Sequence, residues 1–333
     1  MFGISRTTAN RKFVAGGSLQ YTATSGWFKR EESIMGTAIR VELWSDNRAD
    51  GEAAMDAVME EMHRIDRSMS PHKADSELSR INRFAGTQAV HLSREMFHLL
   101  SRAEYFARLS DGAFDISYAA VGRLYDYRLR TRPLQADLAA AHAAVGWRNV
   151  VLDAHARTVR FAHPGMCIDL GGFAKGHAVD NAATLLHRCG IAHANISAGG
   201  DSRVMGDRRG RPWTIGIRDP RNSDAVVALL PLQDTSISTS GDYERFFEED
   251  GKRFHHLIDP TTGISPNSVR SVTILGEDGL TTEALSKCVF VMGVEKGLQL
   301  IEAQQTVDAV VVDSDGRLHY SSGLLAPGAQ TRQ

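Results

Sequence analysis

The chain has 333 residues, enough for one large domain or two modest ones and for a sizeable buried core. Hydrophobic residues make up 42% and charged residues 23%, a composition that excludes a largely disordered protein. Lys and Arg number 38 against 40 Asp and Glu, which gives a formal charge of −2. Because nucleic-acid binding needs a basic excess, we expect no nucleic-acid partner.

Cysteine spacing and hydropathy further narrow the class of protein. Cys167, Cys189 and Cys288 are widely separated and odd in number, which argues against a disulfide framework or a thiolate zinc site. No apolar run approaches the ~18 residues of a membrane span. Residues 1–26 are polar and lack the apolar stretch of a secretory signal, so we expect a disordered tail and a cytoplasmic protein. A signal already removed would leave the same pattern, and the protein would then be periplasmic or exported.

Hydrophobic periodicity predicts strands and helices that alternate irregularly. In the first third, a strand is predicted over 39–43, a turn over 45–51, and helices over 54–69 and 96–107. Gly112 ends the second helix.

The remainder is strand-rich. A hairpin over 150–161 and a short buried strand over 166–170 precede a helix that Gly171 and Gly172 open and that runs to about residue 188. A later helix is predicted over 282–292, and further strands over 195–197, 214–217, 226–230, 272–275 and 309–312. This pattern predicts an α+β or mixed α/β fold without repeats, and it places no domain boundary.

The segment IDLGGFAKG, residues 168–176, carries the strongest local chemistry. A buried segment ends at Asp169, two glycines allow close backbone approach, and Lys175 lies in or near the first turn of a helix. Free N–H groups at a helix N-terminus favour an anion, and a lysine adds a point charge suited to phosphate. The segment is neither a Walker A loop nor G-x-G-x-x-G, so a plain glycine turn with a solvated lysine stays open.

Other segments are ambiguous when taken singly. The glycine clusters at 197–206 and 239–243 fit either a ligand approach or a hairpin. The segment FHHLIDPTTG offers His255 and His256 as bases near neutral pH, but its DPTTG part is also a strong turn pattern. Asp115, between apolar residues, needs either backbone N–H groups or a ligand as its partner.

Residues Glu283 and Lys287 stand at i and i+4 of one predicted helix. The simplest interpretation is an exposed ion pair, which contributes about 0.3–0.5 kcal/mol.

In series, these segments resemble the FAD:protein FMN transferase family, the ApbE-like proteins. The resemblance runs from about residue 34 to about residue 300, with residues 1–26 and 326–333 as tails on a domain over 27–325. Nine segments carry it: MGTAIRVEL, MSPHKADSELSRIN, GAFDIS, IDLGGFAKGHAVD, SAGGDSRVMG, PWTIGIRDP, STSGDYERF, HHLIDPTTG and EALSKCVFVMG. It implies a two-lobed, single-chain architecture related to the T-fold.

The resemblance also implies an activity and a set of residues. Such enzymes bind FAD with Mg²⁺, move FMN to a Thr or Ser hydroxyl of an acceptor flavoprotein and release AMP; some members instead hydrolyse FAD. His256 would be the base for the acceptor hydroxyl, and Lys175 would act on the diphosphate. Gly172 would offer its carbonyl to the metal. The positions implied to contact FAD are Met35, His72, Ala113, Phe114, Asp115, Asp169, Lys175 and Leu257.

The sequence departs from the family pattern at the metal. The helix that usually reads D-A-L-x-T is here Glu283-Ala284-Leu285-Ser286-Lys287. A charged lysine has no lone pair for a metal. Three outcomes are open: Lys287 swings out and Ser286 or water completes the shell, its ammonium takes the metal's place, or the site binds FAD without turnover.

Overall fold

A long hairpin opens the computed structural model, which describes residues 25–325. Strands β1 (Gly26–Ile34) and β2 (Thr37–Ser45) pair antiparallel around a turn in which Met35 and Gly36 have φ of 55° and 71°. Two consecutive positive φ angles match the right-handed twist of a hairpin. Residues 1–24 and 326–333, which hold most of the predicted tails, lie outside the described range.

Three helices follow this hairpin, with a two-residue strand among them. They are α1 (Arg48–Met69), α2 (Glu77–Phe84) and α3 (Arg94–Leu109), and strand β3 (Val90–His91) precedes α3. Both predicted helices of this part are confirmed. The predicted turn over 45–51 is too long, because the Asn47 side chain accepts the Ala49 N–H and starts α1 at Arg48.

The middle of the chain is assembled from short elements. A 3₁₀ turn (Ile116–Tyr118) leads into α4 (Ala119–Gly122) and α5 (Gln135–His142), and β4 (Val150–Asp153) and β5 (Thr158–Phe161) form the predicted hairpin. Together with β3 they make a small sheet in the order β3-β5-β4.

The strand predicted over 166–170 is wrong. Its side chains alternate in burial as a strand's would, but its backbone pairs elsewhere. The Asn82 side chain bonds both the N–H and the C=O of Ile168, and the Asp169 N–H donates to the Ile116 carbonyl at 2.9 Å.

The second half of the chain supplies most of the main sheet. In chain order its elements are α6 (Ala174–Arg188), β6 (Ala194–Ala198), β7 (Asp201–Met205), β8 (Trp213–Arg218), β9 (Val226–Leu232), β10 (Ser236–Gly241), β11 (Phe246–Glu249), β12 (Lys252–His255), β13 (Val269–Gly276), α7 (Gly279–Met292), α8 (Val294–Glu302), β14 (Asp308–Asp313) and β15 (Leu318–Tyr320).

Eight strands form one antiparallel sheet in the order β1-β2-β6-β7-β10-β13-β14-β15. Helices α1, α6 and α7 pack against it and one another, and their apolar faces form one large core with the sheet. The predicted fold class, α+β or mixed α/β, is confirmed. Strands β8 and β9, both predicted, pair with each other as a separate hairpin.

A second, small apolar cluster lies apart from this core. It joins Val121, Tyr125, Leu138 and Ile258, and so packs α5 and the chain after α4 against the loop that follows β12. Between residues 25 and 325, no helix combines the length and apolarity that a membrane crossing needs.

Candidate functional site

The first turn of α6 holds a lysine between two acidic side chains. As predicted, Lys175 lies in this turn; its ammonium contacts Glu283 Oε1 on α7 and lies 2.9 Å from Asp201 Oδ2 on β7. The second oxygen of Glu283 accepts the Gly176 N–H at 2.7 Å. Glu283 is fully buried and Asp201 nearly so, while about a quarter of the Lys175 side chain, 24%, is exposed. The lysine therefore forms the accessible face of a buried charge cluster.

The start of α7 is fixed against α6 by a carboxylate. The two oxygens of Asp180 accept the N–H groups of Gly279 and Leu280 at 2.7 and 3.0 Å. The Asp278 side chain accepts the Thr281 N–H in addition. These bonds satisfy N–H groups that a helix start leaves free and hold Glu283 one turn further along, next to Lys175.

Lys287 belongs to the same cluster. Its ammonium lies 3.3 Å from Glu283 Oε1, so two lysines share one carboxylate oxygen. The interpretation of this pair as exposed is wrong, because Glu283 is fully buried. Burial by itself raises the pKa of Asp201, but the charges of Lys175 and Lys287 outweigh it and lower that pKa below its usual value. The cluster of Lys175, Lys287, Asp201 and Glu283 thus balances two positive against two negative charges.

The Glu283 carboxylate is not available to a magnesium ion. Magnesium needs available oxygen ligands in octahedral geometry, but both oxygens of Glu283 are already bonded to ammonium or N–H groups. Across residues 25–325, nowhere do three or more His, Cys, Asp or Glu side chains gather in a metal-binding arrangement. The Ser286 hydroxyl donates to the Glu283 carbonyl at 2.7 Å and bonds the Ser240 hydroxyl at 2.7 Å. Two oxygens here accept no hydrogen bond within the described chain, namely the Gly172 carbonyl and Asp201 Oδ1.

The turn before α6 is shaped by Asp169. Its Oδ1 accepts the Gly171 N–H at 2.6 Å, which closes the turn and leaves Gly171 exposed. The adjacent Tyr118 was not predicted as a site residue. The charge of Asp169, together with burial, raises the pKa of the Tyr118 phenol well above its ordinary value, so the phenol stays protonated as a hydrogen-bond donor at the turn.

Three of the predicted FAD contacts lie around this turn. The ring of Phe114 packs against Phe173. It also lies close to Gly172, where an added Cβ would be 3.3 Å from the ring. Asp115 is buried, and its partners are protein groups: it accepts from Ser117 N at 2.8 Å, from the Ser117 hydroxyl at 2.7 Å and from Trp147 N at 2.7 Å. Ala113 is half-buried beside them.

The other predicted contacts are dispersed. Leu257 is buried in the main core. Met35 lies in the β1–β2 turn, where the neighbouring Gly36 faces Arg245. His72 is exposed in the loop between α1 and α2, and no hydrogen bond or ion pair of its ring connects it to the Lys175 cluster within residues 25–325.

The two adjacent histidines have different surroundings. His255 is fully buried, and its Nε2 donates to the Pro266 carbonyl at 2.8 Å. His256 is half-buried, and its buried Nδ1 has no hydrogen-bond partner within the described residues. Burial above all, then the neighbouring His255 and the charges of Arg245, Lys287 and Lys175, lower the pKa of His256 to about 3. The His256 ring is therefore neutral at pH 7, as a base must be.

Sequence reasoning missed two charged residues of this region. Asp201 follows the glycine pair of the segment at 197–206, which was interpreted either as a close approach to a ligand or as a hairpin, with no role for the carboxylate. Arg245 precedes β11, and its carbonyl accepts the His256 N–H at 3.1 Å. An acidic residue directly after two glycines at the start of a strand was the only available indication of Asp201.

Known proteins match this chain along most of its length. The ApbE family model matches residues 35–311. A Treponema pallidum (strain Nichols) protein named FAD:protein FMN transferase is 33% identical, over 90% of this chain and 88% of its own length. A Klebsiella pneumoniae protein of the same name is 31% identical, over 87% of this chain and 90% of its own.

Solved structures agree with these matches. The ApbE protein of Thermotoga maritima superposes with a TM-score of 0.83 at 32% identity and covers 90% of this chain and 98% of its own. The flavin transferase ApbE of Vibrio cholerae superposes with a TM-score of 0.80 at 29% identity, with the same coverage.

Proposed function

This chain belongs to the ApbE family, and on that premise we propose that it is an FAD:protein FMN transferase. It transfers FMN from FAD to an acceptor flavoprotein and releases AMP. The observation that carries the proposal is the pair Lys175 and Lys287, whose ammonium groups converge on Glu283 at the N-terminus of α6. In this charge-balanced cluster the two ammonium groups are the hydrogen-bond donors that a diphosphate needs at the phosphorus that is attacked.

The reaction that we propose forms one P–O bond and breaks another. The hydroxyl of an acceptor Thr or Ser attacks the FMN phosphorus of FAD, and His256 takes the hydroxyl proton. The bond from that phosphorus to the bridging oxygen breaks, and AMP leaves with the electron pair. The pKa of His256 is lowered in part by nearby cations. A diphosphate bound near the ring offsets the charge of these cations, so substrate binding makes His256 a stronger base.

In this proposal, the ammonium groups of Lys175 and Lys287 do what a metal ion does in the family pattern. Lys287 stands where the family pattern has a threonine, and its ammonium already lies on Glu283. We therefore infer that transfer proceeds without Mg²⁺. The protonated Tyr118 phenol then offers the diphosphate a hydrogen bond at the turn that Asp169 closes, and Phe114 lies beneath this glycine turn.

Mass spectrometry of the reaction products tests the function. The full-length protein is mixed with FAD and a flavin-carrier domain, with Mg²⁺ or with EDTA, and AMP and the mass of the carrier are measured. We expect AMP and a carrier that is heavier by one FMN under both conditions. AMP and free FMN without modification of the carrier would indicate a diphosphatase. Retained FAD and no AMP, with a carrier that a known transferase modifies, would indicate a binding protein.

A further inference from the structure

An arginine-rich loop projects from the protein between α4 and α5. Residues 123–134, RLYDYRLRTRPL, contain four arginines and one acidic residue, and we call this segment the arginine hairpin. Within it, two backbone hydrogen bonds join Asp126 and Thr131, at 3.0 and 2.9 Å. All four arginines are exposed.

Most of this positive charge is unopposed. The Asp126 carboxylate accepts the backbone N–H groups of Arg128 and Leu129, at 2.9 and 2.8 Å, and so acts within the turn. Arg132 pairs with Glu249. Within residues 25–325, the side chains of Arg123, Arg128 and Arg130 form no ion pair.

The arginine hairpin is bonded to the segment that carries His256. The Tyr127 hydroxyl donates to the His255 carbonyl at 3.2 Å, and the Tyr125 hydroxyl donates to the Gly263 carbonyl at 2.9 Å. The Tyr127 ring also packs against Phe247 of β11. A protein held on this hairpin is therefore held next to the proposed base.

A groove of about 450 Å³ runs along one side of the hairpin. Arg123, Leu124 and Pro133 line it from the hairpin, and Ala140, Ala141 and the carboxylate of Asp137 line it from α5. His163 lies at its edge with a buried Nδ1 that has no hydrogen-bond partner in the part of the chain that the structure describes. The groove carries one arginine and one carboxylate, and its small apolar wall fits one extended peptide segment. The preference for acidic side chains comes from the hairpin arginines that form no ion pair within residues 25–325.

We propose that the arginine hairpin and this groove dock an acidic segment of the acceptor protein, and so present the acceptor hydroxyl to His256. The identity of the partner as acceptor rests on the proposed function. Long-range attraction between an arginine cluster and an acidic segment speeds encounter and is screened within about 8 Å at physiological salt. An anionic membrane surface would meet the same arginines, but a membrane gives no reason to bond the hairpin to the His256 segment.

Direct binding tests the docking without requiring catalysis. The probe is a fluorescein-labelled peptide with one Thr among Asp and Glu residues, and its twin carries Asn and Gln in their place. We expect the full-length protein to bind the acidic peptide about tenfold more tightly than its twin, a difference that shrinks as salt rises. The variant Arg128→Glu/Arg130→Glu loses the preference.

The matched control is Arg94→Glu/Arg211→Glu, which makes the same charge change at two exposed arginines outside the hairpin, neither of which forms an ion pair among the described residues. It keeps the preference for the acidic peptide. Equal binding of both peptides to the unaltered protein, or the same loss in both variants, would overturn the proposal. Binding of phosphatidylserine vesicles in place of the acidic peptide would assign the hairpin to a membrane and overturn it as well.

Transfer kinetics separate this proposal from the proposed function. With a flavin-carrier domain, we expect Arg128→Glu/Arg130→Glu to raise KM for the carrier about tenfold at unchanged KM for FAD. An unchanged KM for the carrier overturns the docking while leaving the transferase intact. If the unaltered protein releases no AMP, the function fails, and the peptide measurements still decide whether the hairpin binds acidic segments.

Discussion

Gly176 of α6 and Gly279 of α7 touch backbone to backbone: a Cβ on Gly176 would lie 2.1 Å from the Gly279 carbonyl oxygen. This contact brings the Gly176 N–H within 2.7 Å of Glu283. We expect Gly176→Ala to push the helices apart and to lower the free energy of unfolding by about 3 kcal/mol, at the upper end for overpacking. Gly86→Ala is the control, since a Cβ there meets no atom within 4 Å. Urea titration of both variants measures the difference, and equal midpoints would contradict the expectation.

Removal of the Lys175 charge should affect the stability of the fold as well as the binding of FAD. The change Lys175→Met leaves Asp201 buried without its nearest cation, while Lys287 still contacts Glu283. We expect a loss of about 3 kcal/mol in stability, at the lower end for breaking a buried pair. Asp201→Asn combined with Lys175→Met should recover part of it, because no uncompensated charge then remains. A single variant as stable as the unaltered protein would show that the pair contributes nothing to folding. FAD affinity should be compared only under conditions where each variant is folded.

The family's usual residues should restore metal dependence. In Glu283→Asp/Lys287→Thr the second ammonium is absent, and a carboxylate and a hydroxyl become available as hard oxygen ligands. We expect AMP release by this variant to rise at least about tenfold with Mg²⁺, as loss and recovery of one charge-stabilising contact would give. The unaltered protein should release the same amount of AMP with EDTA as with Mg²⁺. If EDTA stops the unaltered protein, a metal participates and Lys287 must move away from Glu283.

His256 should stay neutral across the physiological range in the protein without FAD. A histidine with its pKa lowered to about 3 is protonated only below that pH, whereas an unperturbed one charges near 6.5. Because the unfolded chain then binds a proton that the folded chain does not, the His256 contribution to stability falls as pH drops below about 6.5. NMR of the histidine rings, assigned with His256→Asn, reports this directly. A His256 midpoint near 6.5 would place the ring in water.

Loss of the His256 ring should separate binding from transfer. We expect His256→Ala to abolish modification of the carrier and to leave FAD affinity unchanged, because the proposed role of the ring is to take the proton of the acceptor hydroxyl. His255→Ala is an informative comparison: it removes a bond to the Pro266 carbonyl and should lower stability instead. FAD affinity follows from flavin fluorescence. If His256→Ala loses FAD, the residue belongs to the nucleotide site.

Strands rich in polar residues are among those that sequence periodicity failed to predict. Strand β10, SISTSG, lies in the middle of the main sheet, yet it has one aliphatic side chain. Its hydroxyl groups are satisfied across elements, Ser238 by Thr282 and Thr239 by Thr273, both at 2.9 Å. Hydrophobic alternation cannot indicate such a strand, since its stability depends on partners that only the fold brings near.

At the site, too, the features that depend on residues close in sequence were predictable, and those that depend on residues far apart in sequence were not. Lys175 at the start of α6 was predictable because the glycine turn and the helix are local in sequence. The spacing of Glu283 and Lys287 predicted their contact but not the burial of Glu283, which depends on the packing of α6 against α7. Asp201 reaches Lys175 only because β7 lies between β6 and β10 in the sheet.

The separation of Lys175 from Glu283 along the chain has a consequence for biosynthesis. The two residues are 108 positions apart, and α7 also supplies Lys287. A nascent chain that has emerged only as far as β13 therefore holds Lys175 and Asp201 without the other half of the cluster. Since chains leave the ribosome N-terminus first, the proposed FAD site is completed late in translation, and we expect that a ribosome-bound fragment cannot capture the nucleotide before α7 docks.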